Sequence, residues 1–110
     1  IFNYYKSNID KIENLSLADV PPYANNNHWL NILQIAEGST PNKESVMDKL
    51  DKNGIISRPV WMLNHLQKPY KNCQAHNIEN ANKLVMNSLC LPSSPSLSEE
   101  DLDKIVSNLR

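Results

Sequence analysis

The chain has 110 residues, of which 40% are hydrophobic and 21% are charged, a composition typical of one globular domain and not of a disordered segment. The formal net charge of -1 leaves no broad basic field that would attract nucleic acid or an anionic membrane. No apolar run approaches the roughly 18 residues of a membrane span, and the first residues lack the apolar segment of a secretory signal. We therefore expect a cytoplasmic protein that binds neither nucleic acid nor membrane.

Residues 1–15 carry Phe2, Tyr5, Ile9 and Ile12 at helical spacing. This pattern predicts an amphipathic helix that ends before the turn at "DVPPY". The sequence does not start with a methionine, and no capping residue precedes the first helical turn. We interpret both features as signs of a piece of a longer protein.

Residues 28–35, "HWLNILQI", are rich in β-favouring residues with apolar side chains on both alternating faces. They predict an interior strand that is covered on both sides. Residues 40–54 carry the start and stop signals of a helix. Thr40 is predicted as the N-cap, Pro41 as the first helical residue and Gly54 as the residue just after the end. The buried stripe of this helix is predicted to be Val46, Met47 and Leu50.

Residues 55–61 predict a second strand, which Pro59 places at a sheet edge because proline lacks a backbone donor. After an irregular segment, a third helix is predicted with Asn77 as its cap, followed by the short strand "CLP" at 90–92.

The last helix has the clearest local signal, because Ser98 can cap it and Leu97 can pack against Leu102. The resulting order is helix, strand, helix, strand, irregular segment, helix, short strand, helix. It predicts an α+β fold, a small sheet with helices packed on it.

Metal and phosphate-loop motifs are not found in this sequence. The two glycines do not form a Gly-rich phosphate loop, and the three histidines are far apart. Cys73 and Cys90 form no CxxC pair and are too few for a disulfide framework, so we expect free thiols. We also expect no bound metal.

The stretch "SRPVWMLNHLQKPY" concentrates polar and aromatic side chains in one irregular run. The guanidinium of Arg58 can clamp a carboxylate or phosphate, and the indole of Trp61 can stack on a ligand. His65 can exchange protons near neutral pH, while Asn64 and Tyr70 can donate hydrogen bonds to sugar hydroxyls or phosphate oxygens. These five residues predict one wall of a small-molecule pocket.

A structural interpretation of the same stretch is the alternative. Val60, Trp61, Met62 and Leu63 could fill the core, with Arg58 paired to a carboxylate.

"GIISRPVWMLNHLQKPYKN", followed by "NANKLVMNSLCLPSSPSLSEEDLDKIV", resembles the C-terminal part of the DegT/DnrJ/EryC1/StrS family of PLP-dependent sugar aminotransferases. The similarity covers about residues 28–110, and residues 1–15 fit the long helix that joins the two domains of that family. The matching elements are Gly54-Ile55, the loop histidine His65, Pro69-Tyr70, Asn80-Ala81, Leu91-Pro92, and Leu97 to Val106.

The resemblance implies the C-terminal small domain of a fold-type I aminotransferase. Residues 1–20 would be a linker helix from a missing N-terminal large domain, and residues 21–110 the small domain. The family's cofactor lysine, pyridine-binding aspartate and phosphate-binding serine lie in that large domain. The resemblance therefore implies PLP in an intact, homodimeric enzyme, but no catalytic or cofactor-binding residue and no activity in this chain alone.

The segment "RPVW…NHLQKPYKN" most resembles those family members that aminate UDP-linked 4-keto sugars for bacterial surface polysaccharides, with glutamate as amino donor. On this resemblance His65 corresponds to the histidine beside the sugar substrate. The roles of Arg58, Trp61 and Asn64 rest on the local argument alone. A stand-alone module for a phosphorylated sugar and a purely structural fragment are the alternatives.

Overall fold

The computed structural model describes residues 1–110 as helices packed on a four-stranded antiparallel sheet of order β1-β2-β4-β3. Two short 3-10 turns, Asn64–Leu66 and Lys68–Tyr70, follow the third strand. The predicted α+β fold is confirmed. In chain order the elements are α1 (Phe2–Ile9), β1 (Leu15–Leu17), β2 (Asn31–Ile35), α2 (Lys43–Lys52), β3 (Arg58–Pro59), α3 (Glu79–Met86), β4 (Ser88–Leu91) and α4 (Glu99–Ser107).

Strand β2 lies between β1 and β4, as predicted for an interior strand. Leu33 is paired with Leu17 on one side and with Leu89 on the other, and its side chain is fully buried. The prediction of cover on both faces was only partly right, since Ile32 and Gln34 on the opposite face are half-buried. One face of the sheet therefore carries the core.

Strand β3 is an edge strand, as Pro59 predicted, but only two of its residues pair with β4. Arg58 lies opposite Cys90 in the register, and the chain leaves the sheet after Pro59. The strand "CLP" is also shifted, because β4 begins at Ser88 and ends before Pro92. The strand predicted over 55–61 was therefore too long.

The core consists of apolar side chains from one sheet face, from α1, α2 and α4, and from the residues just after α2 and α4. The Tyr5 hydroxyl donates a hydrogen bond of 2.9 Å to the carbonyl of Pro92, and burial raises the pKa of this hydroxyl. No helix is both long and apolar enough to cross a membrane. The buried cluster comprises Tyr5, Ile9, Leu15, Leu17, Leu33, Ile35, Val46, Leu50, Ile55, Leu89, Leu91, Leu102, Ile105, Val106 and Leu109.

The helix predicted over residues 1–15 ends at Ile9, and residues 15–17 form a strand that the sequence did not predict. Leu15 and Leu17 alternate with one exposed residue, a pattern too short to separate from a helical stripe. The Asp10 carboxylate accepts a 2.9 Å hydrogen bond from the Leu17 N–H. This contact joins the end of α1 to β1.

Two predicted caps were wrong and one is confirmed. For α2, Asn42 and not Thr40 caps the helix, by accepting from the Ser45 N–H at 3.0 Å. Helix α3 begins after Ile78 without a side-chain cap, so Asn77 does not cap it. Ser98 caps α4 in a capping box with Asp101, in which each side chain accepts a backbone N–H of the other.

Candidate functional site

Four of the five predicted site residues, Trp61, Asn64, His65 and Tyr70, line one open groove of about 530 Å³. This histidine groove is formed by residues 61–65, 70, 73–76, 78 and 81, so it lies between the 3-10 turns and the start of α3. The structure therefore brings together most of the residues singled out in the sequence.

The loop that carries His65 is held by local hydrogen bonds. The Gln67 N–H donates to the Asn64 carbonyl at 3.0 Å, and the Tyr70 N–H donates to the Gln67 carbonyl at 2.9 Å. The Gln67 side chain also donates to the carbonyl of Met62 at 3.2 Å. His65 is half-buried and makes no hydrogen bond through its side chain, so its imidazole is free to contact a ligand.

The histidine groove carries no carboxylate, lysine or arginine. Besides its apolar wall it offers two carboxamides, a phenol, a thiol and the imidazoles of His65 and His76, which suits a polar ligand without charge such as a sugar ring. Nowhere do three His, Cys, Asp or Glu side chains cluster in a way that could hold a metal ion. Since PLP enzymes bind their cofactor as a Schiff base to a lysine, the lining residues do not fit PLP.

Arg58 does not line the histidine groove but lies in a second groove of about 610 Å³. This tryptophan groove is formed by residues 29, 30, 56, 58, 59, 61 and 90–94, and Trp61 belongs to both grooves. Arg58 makes no ion pair, so its predicted pairing with a carboxylate was wrong.

The alternative that Trp61 and Met62 fill the core was also wrong, because their side chains are 70% and 62% exposed. The physical reason is that β3 ends at Pro59, so the chain turns away from the sheet before it reaches Trp61. Trp61 instead lies edge-to-face against Trp29, with 6.1 Å between ring centroids.

Trp29 lines the tryptophan groove but was not singled out in the sequence, because residues 28–35 were predicted to be one strand. Strand β2 begins only at Asn31, and an asparagine-rich turn holds the indole outside the sheet. The Asn26 carboxamide accepts from the His28 N–H at 2.9 Å, and that of Asn27 accepts from the Trp29 N–H at 3.0 Å. The "NNN" run was the sequence signal for this turn.

Both cysteines are free, as predicted, with Cys73 exposed and Cys90 buried. Burial raises the pKa of the Cys90 thiol, and the positive charge of Arg58 opposes that shift. Arg58 is also paired with Cys90 in the register of β3 and β4, and residues opposite each other in paired strands point to the same face of the sheet.

The sequence profile of the DegT/DnrJ/EryC1/StrS aminotransferase family matches residues 1–110, so the chain belongs to that family. The GDP-perosamine synthase of Caulobacter vibrioides is 30% identical over 81 residues, which cover 74% of this chain and 22% of that protein.

Two solved structures show the same fold. The structure of DesI in the presence of its TDP-sugar product has a TM-score of 0.85 at 22% identity, over 98% of this chain and 28% of that one. A GDP-4-keto-6-deoxy-D-mannose-3-dehydratase from E. coli with bound hydrated PLP has a TM-score of 0.82 at 18% identity, with the same coverage of 98% and 28%. The chain thus spans less than a third of the length of these relatives.

Proposed function

We propose that the chain is the C-terminal small domain of a PLP-dependent aminotransferase that aminates a nucleotide-linked 4-keto sugar, with glutamate as donor and UDP as the nucleotide. Family membership over residues 1–110 supports the reaction class, and the coverage of 22% to 28% of the relatives supports a missing large domain. The division into a linker helix (1–20) and a small domain (21–110), a cytoplasmic location and a homodimeric intact enzyme belong to the same proposal.

The observation that carries this proposal is the histidine groove. It places the unpartnered imidazole of His65 in one groove with Asn64 and Tyr70, on a wall that carries no carboxylate, lysine or arginine. An imidazole, an amide and a phenol can each donate to or accept from sugar hydroxyls. We propose that these side chains and Trp61 bind and orient the sugar and exclude water from one side of the cleft.

The chemistry of the amino transfer belongs to the rest of the protein in this proposal. No lysine lines the histidine groove or the tryptophan groove, so this chain offers no residue that could hold PLP covalently there. PLP supplies the electron sink when it is bound. The 110-residue chain by itself is therefore expected to leave glutamate and keto sugar unchanged.

The reaction is tested with the full-length protein that contains this chain, nitrogen-15 glutamate and a UDP-linked 4-keto sugar, with mass spectrometry of the sugar. We expect a nitrogen-15 amino sugar. Loss of a sugar hydroxyl without amination, the reaction type that the E. coli dehydratase name describes, would contradict the proposal. Faster turnover of a GDP- or TDP-linked sugar would contradict the choice of UDP. If the protein bound the nucleotide sugar without any reaction, the result would support the alternative of a stand-alone module that binds a phosphorylated sugar.

His65→Ala tests the groove in the same full-length protein. Because a hydrogen bond to a sugar hydroxyl contributes about 1 kcal/mol, we expect KM for the nucleotide sugar to rise by roughly five- to tenfold or its half-reaction to slow equally. The glutamate half-reaction should not change. Lys68→Ala is the matched control, since Lys68 is exposed on the same loop but does not line the groove. Unchanged kinetics in both half-reactions would refute the assignment.

A further inference from the structure

The tryptophan groove is a second site whose contents the histidine groove does not explain. Both tryptophans of the chain line it, and their side chains are 65% and 70% exposed. Two large aromatic rings in contact at the surface leave much apolar area in water unless a ligand or partner covers it. Trp29 is also held in place, by the asparagine turn and by the Ser93 hydroxyl, which donates to its carbonyl at 2.7 Å.

Arg58 makes this groove suitable for an anion. It is the one charged residue of the lining, it is exposed, and its guanidinium makes no ion pair and no hydrogen bond to another side chain. An arginine fork without a carboxylate partner can bind phosphate oxygens in pairs. The groove therefore combines stacking surfaces with one free cation.

We propose that the tryptophan groove binds the nucleoside diphosphate part of the substrate. Arg58 binds the phosphates, and the base stacks on Trp29, the tryptophan that does not line the histidine groove. Trp61, which lines both grooves, marks the junction where the sugar enters the histidine groove. The assignment of the sugar to the histidine groove rests on the proposed function, whereas nucleotide binding to the tryptophan groove can be measured without any amino transfer.

The test uses nitrogen-15 labelled 110-residue chain, which has its own core, and follows its indole N–H signals by NMR. Because both tryptophans lie in the groove, each signal reports directly on it. UDP, uridine and inorganic pyrophosphate are titrated separately. We expect UDP to shift both signals saturably, with uridine and pyrophosphate binding at least about tenfold more weakly, since each keeps only one of the two contacts.

Matched variants separate the two contacts. Trp29→Ala and Arg58→Ala should each weaken UDP binding by about tenfold. Trp29→Phe should retain most of the affinity because it keeps a stacking ring, and Arg58→Lys should lie between Arg58→Ala and the unaltered chain because it keeps the charge without the fork. His65→Ala should not change UDP binding. Retained strand and helix signals in circular dichroism show that each variant is folded.

The proposal would be overturned if UDP at about 5 mM shifted neither indole signal, a limit that corresponds to negligible affinity. It would equally be overturned if pyrophosphate bound as tightly as UDP, or if Trp29→Ala had no effect. An exposed pair of tryptophans that serves only as a docking face for the rest of the protein gives the first of these results. Failure of amino transfer by the full-length protein would leave the titration result unaffected, so the two proposals fail separately.

Discussion

The molecule has two regions that are stabilised in different ways. The sheet, α1, α2 and α4, with Ile55 and Leu109 just after α2 and α4, hold the buried residues of the chain. No residue between positions 56 and 87 is buried. The same segment carries most of the large hydrophobic side chains that are exposed. These are Ile56, Trp61, Met62, Leu66, Tyr70, Leu84 and Met86.

This difference separates scaffold from site. The first region is held by burial of apolar area, whereas the 3-10 turns of the second are held by local backbone hydrogen bonds and by the side chain of Gln67. A segment without buried side chains is free to present aromatic and polar groups to a ligand, while the sheet keeps its ends in place. Both grooves draw on the exposed segment.

The largest contrast is expected between Leu89→Ala and Met62→Ala. Leu89 is fully buried between β2 and β3, so its truncation should lower the free energy of unfolding by about 3 kcal/mol. Met62 is 62% exposed, and its truncation should change stability by less than about 0.5 kcal/mol. Urea unfolding of the 110-residue chain measures both. Equal losses would show that the exposed segment is packed as tightly as the core.

A smaller effect is expected at the start of α4, where the scaffold depends on a cap that the 3-10 turns lack. Ser98→Ala removes the acceptor of the Asp101 N–H and should cost about 1 kcal/mol of unfolding free energy. Ser107→Ala is the control, since it lies on the same helix, is exposed and makes no side-chain hydrogen bond. If both substitutions had the same effect, the capping box would not stabilise the domain.

The smallest effect concerns the contact between α1 and β1, and it depends on pH. The hydrogen bond from the Lys6 ammonium, followed by that from the Leu17 N–H, holds the pKa of Asp10 below its usual value. A lowered folded-state pKa adds stability above the unfolded pKa of about 3.9 and loses it as the pH falls through the folded value. The resulting gain in the free energy of unfolding should stay below about 1 kcal/mol, because the Asp10 side chain is 36% exposed and solvent screens the interaction.

Asp10→Asn should therefore reduce the loss of stability between pH 6 and about pH 3, as measured by urea unfolding across that range. Asp48→Asn provides the comparison, because Asp48 is exposed on α2 and its side chain makes no ion pair or hydrogen bond. If the unfolding free energy of both variants fell equally steeply with pH, the Asp10 carboxylate would not stabilise the contact between α1 and β1.

Features that depend on neighbours in the chain were predicted correctly from the sequence. The cap of α4 at Ser98, the left-handed Gly54 at φ +72° after α2 and the edge position of Pro59 each follow from the chemistry of one residue or of its near neighbours. The reciprocal contact of Asp101 in the capping box was not predicted. The gathering of His65 with Asn64 and Tyr70 was likewise predicted, because one short loop carries all three. Their ligand roles stay predictions.

Other features were decided by tertiary structure. Residues 15–17 became a strand only because β2 offered a partner, since three residues carry too little local pattern. Trp29 and Trp61 are 32 positions apart, so their contact, and the separation of Arg58 from the histidine groove, depend on where β2 begins and β3 ends. The sequence by itself determined the α+β class, the main helices and the loop of His65, because those signals act over a few residues. Only the packed sheet, whose strand pairings join distant parts of the chain, decided that Trp29 completes a second groove with Trp61 and Arg58.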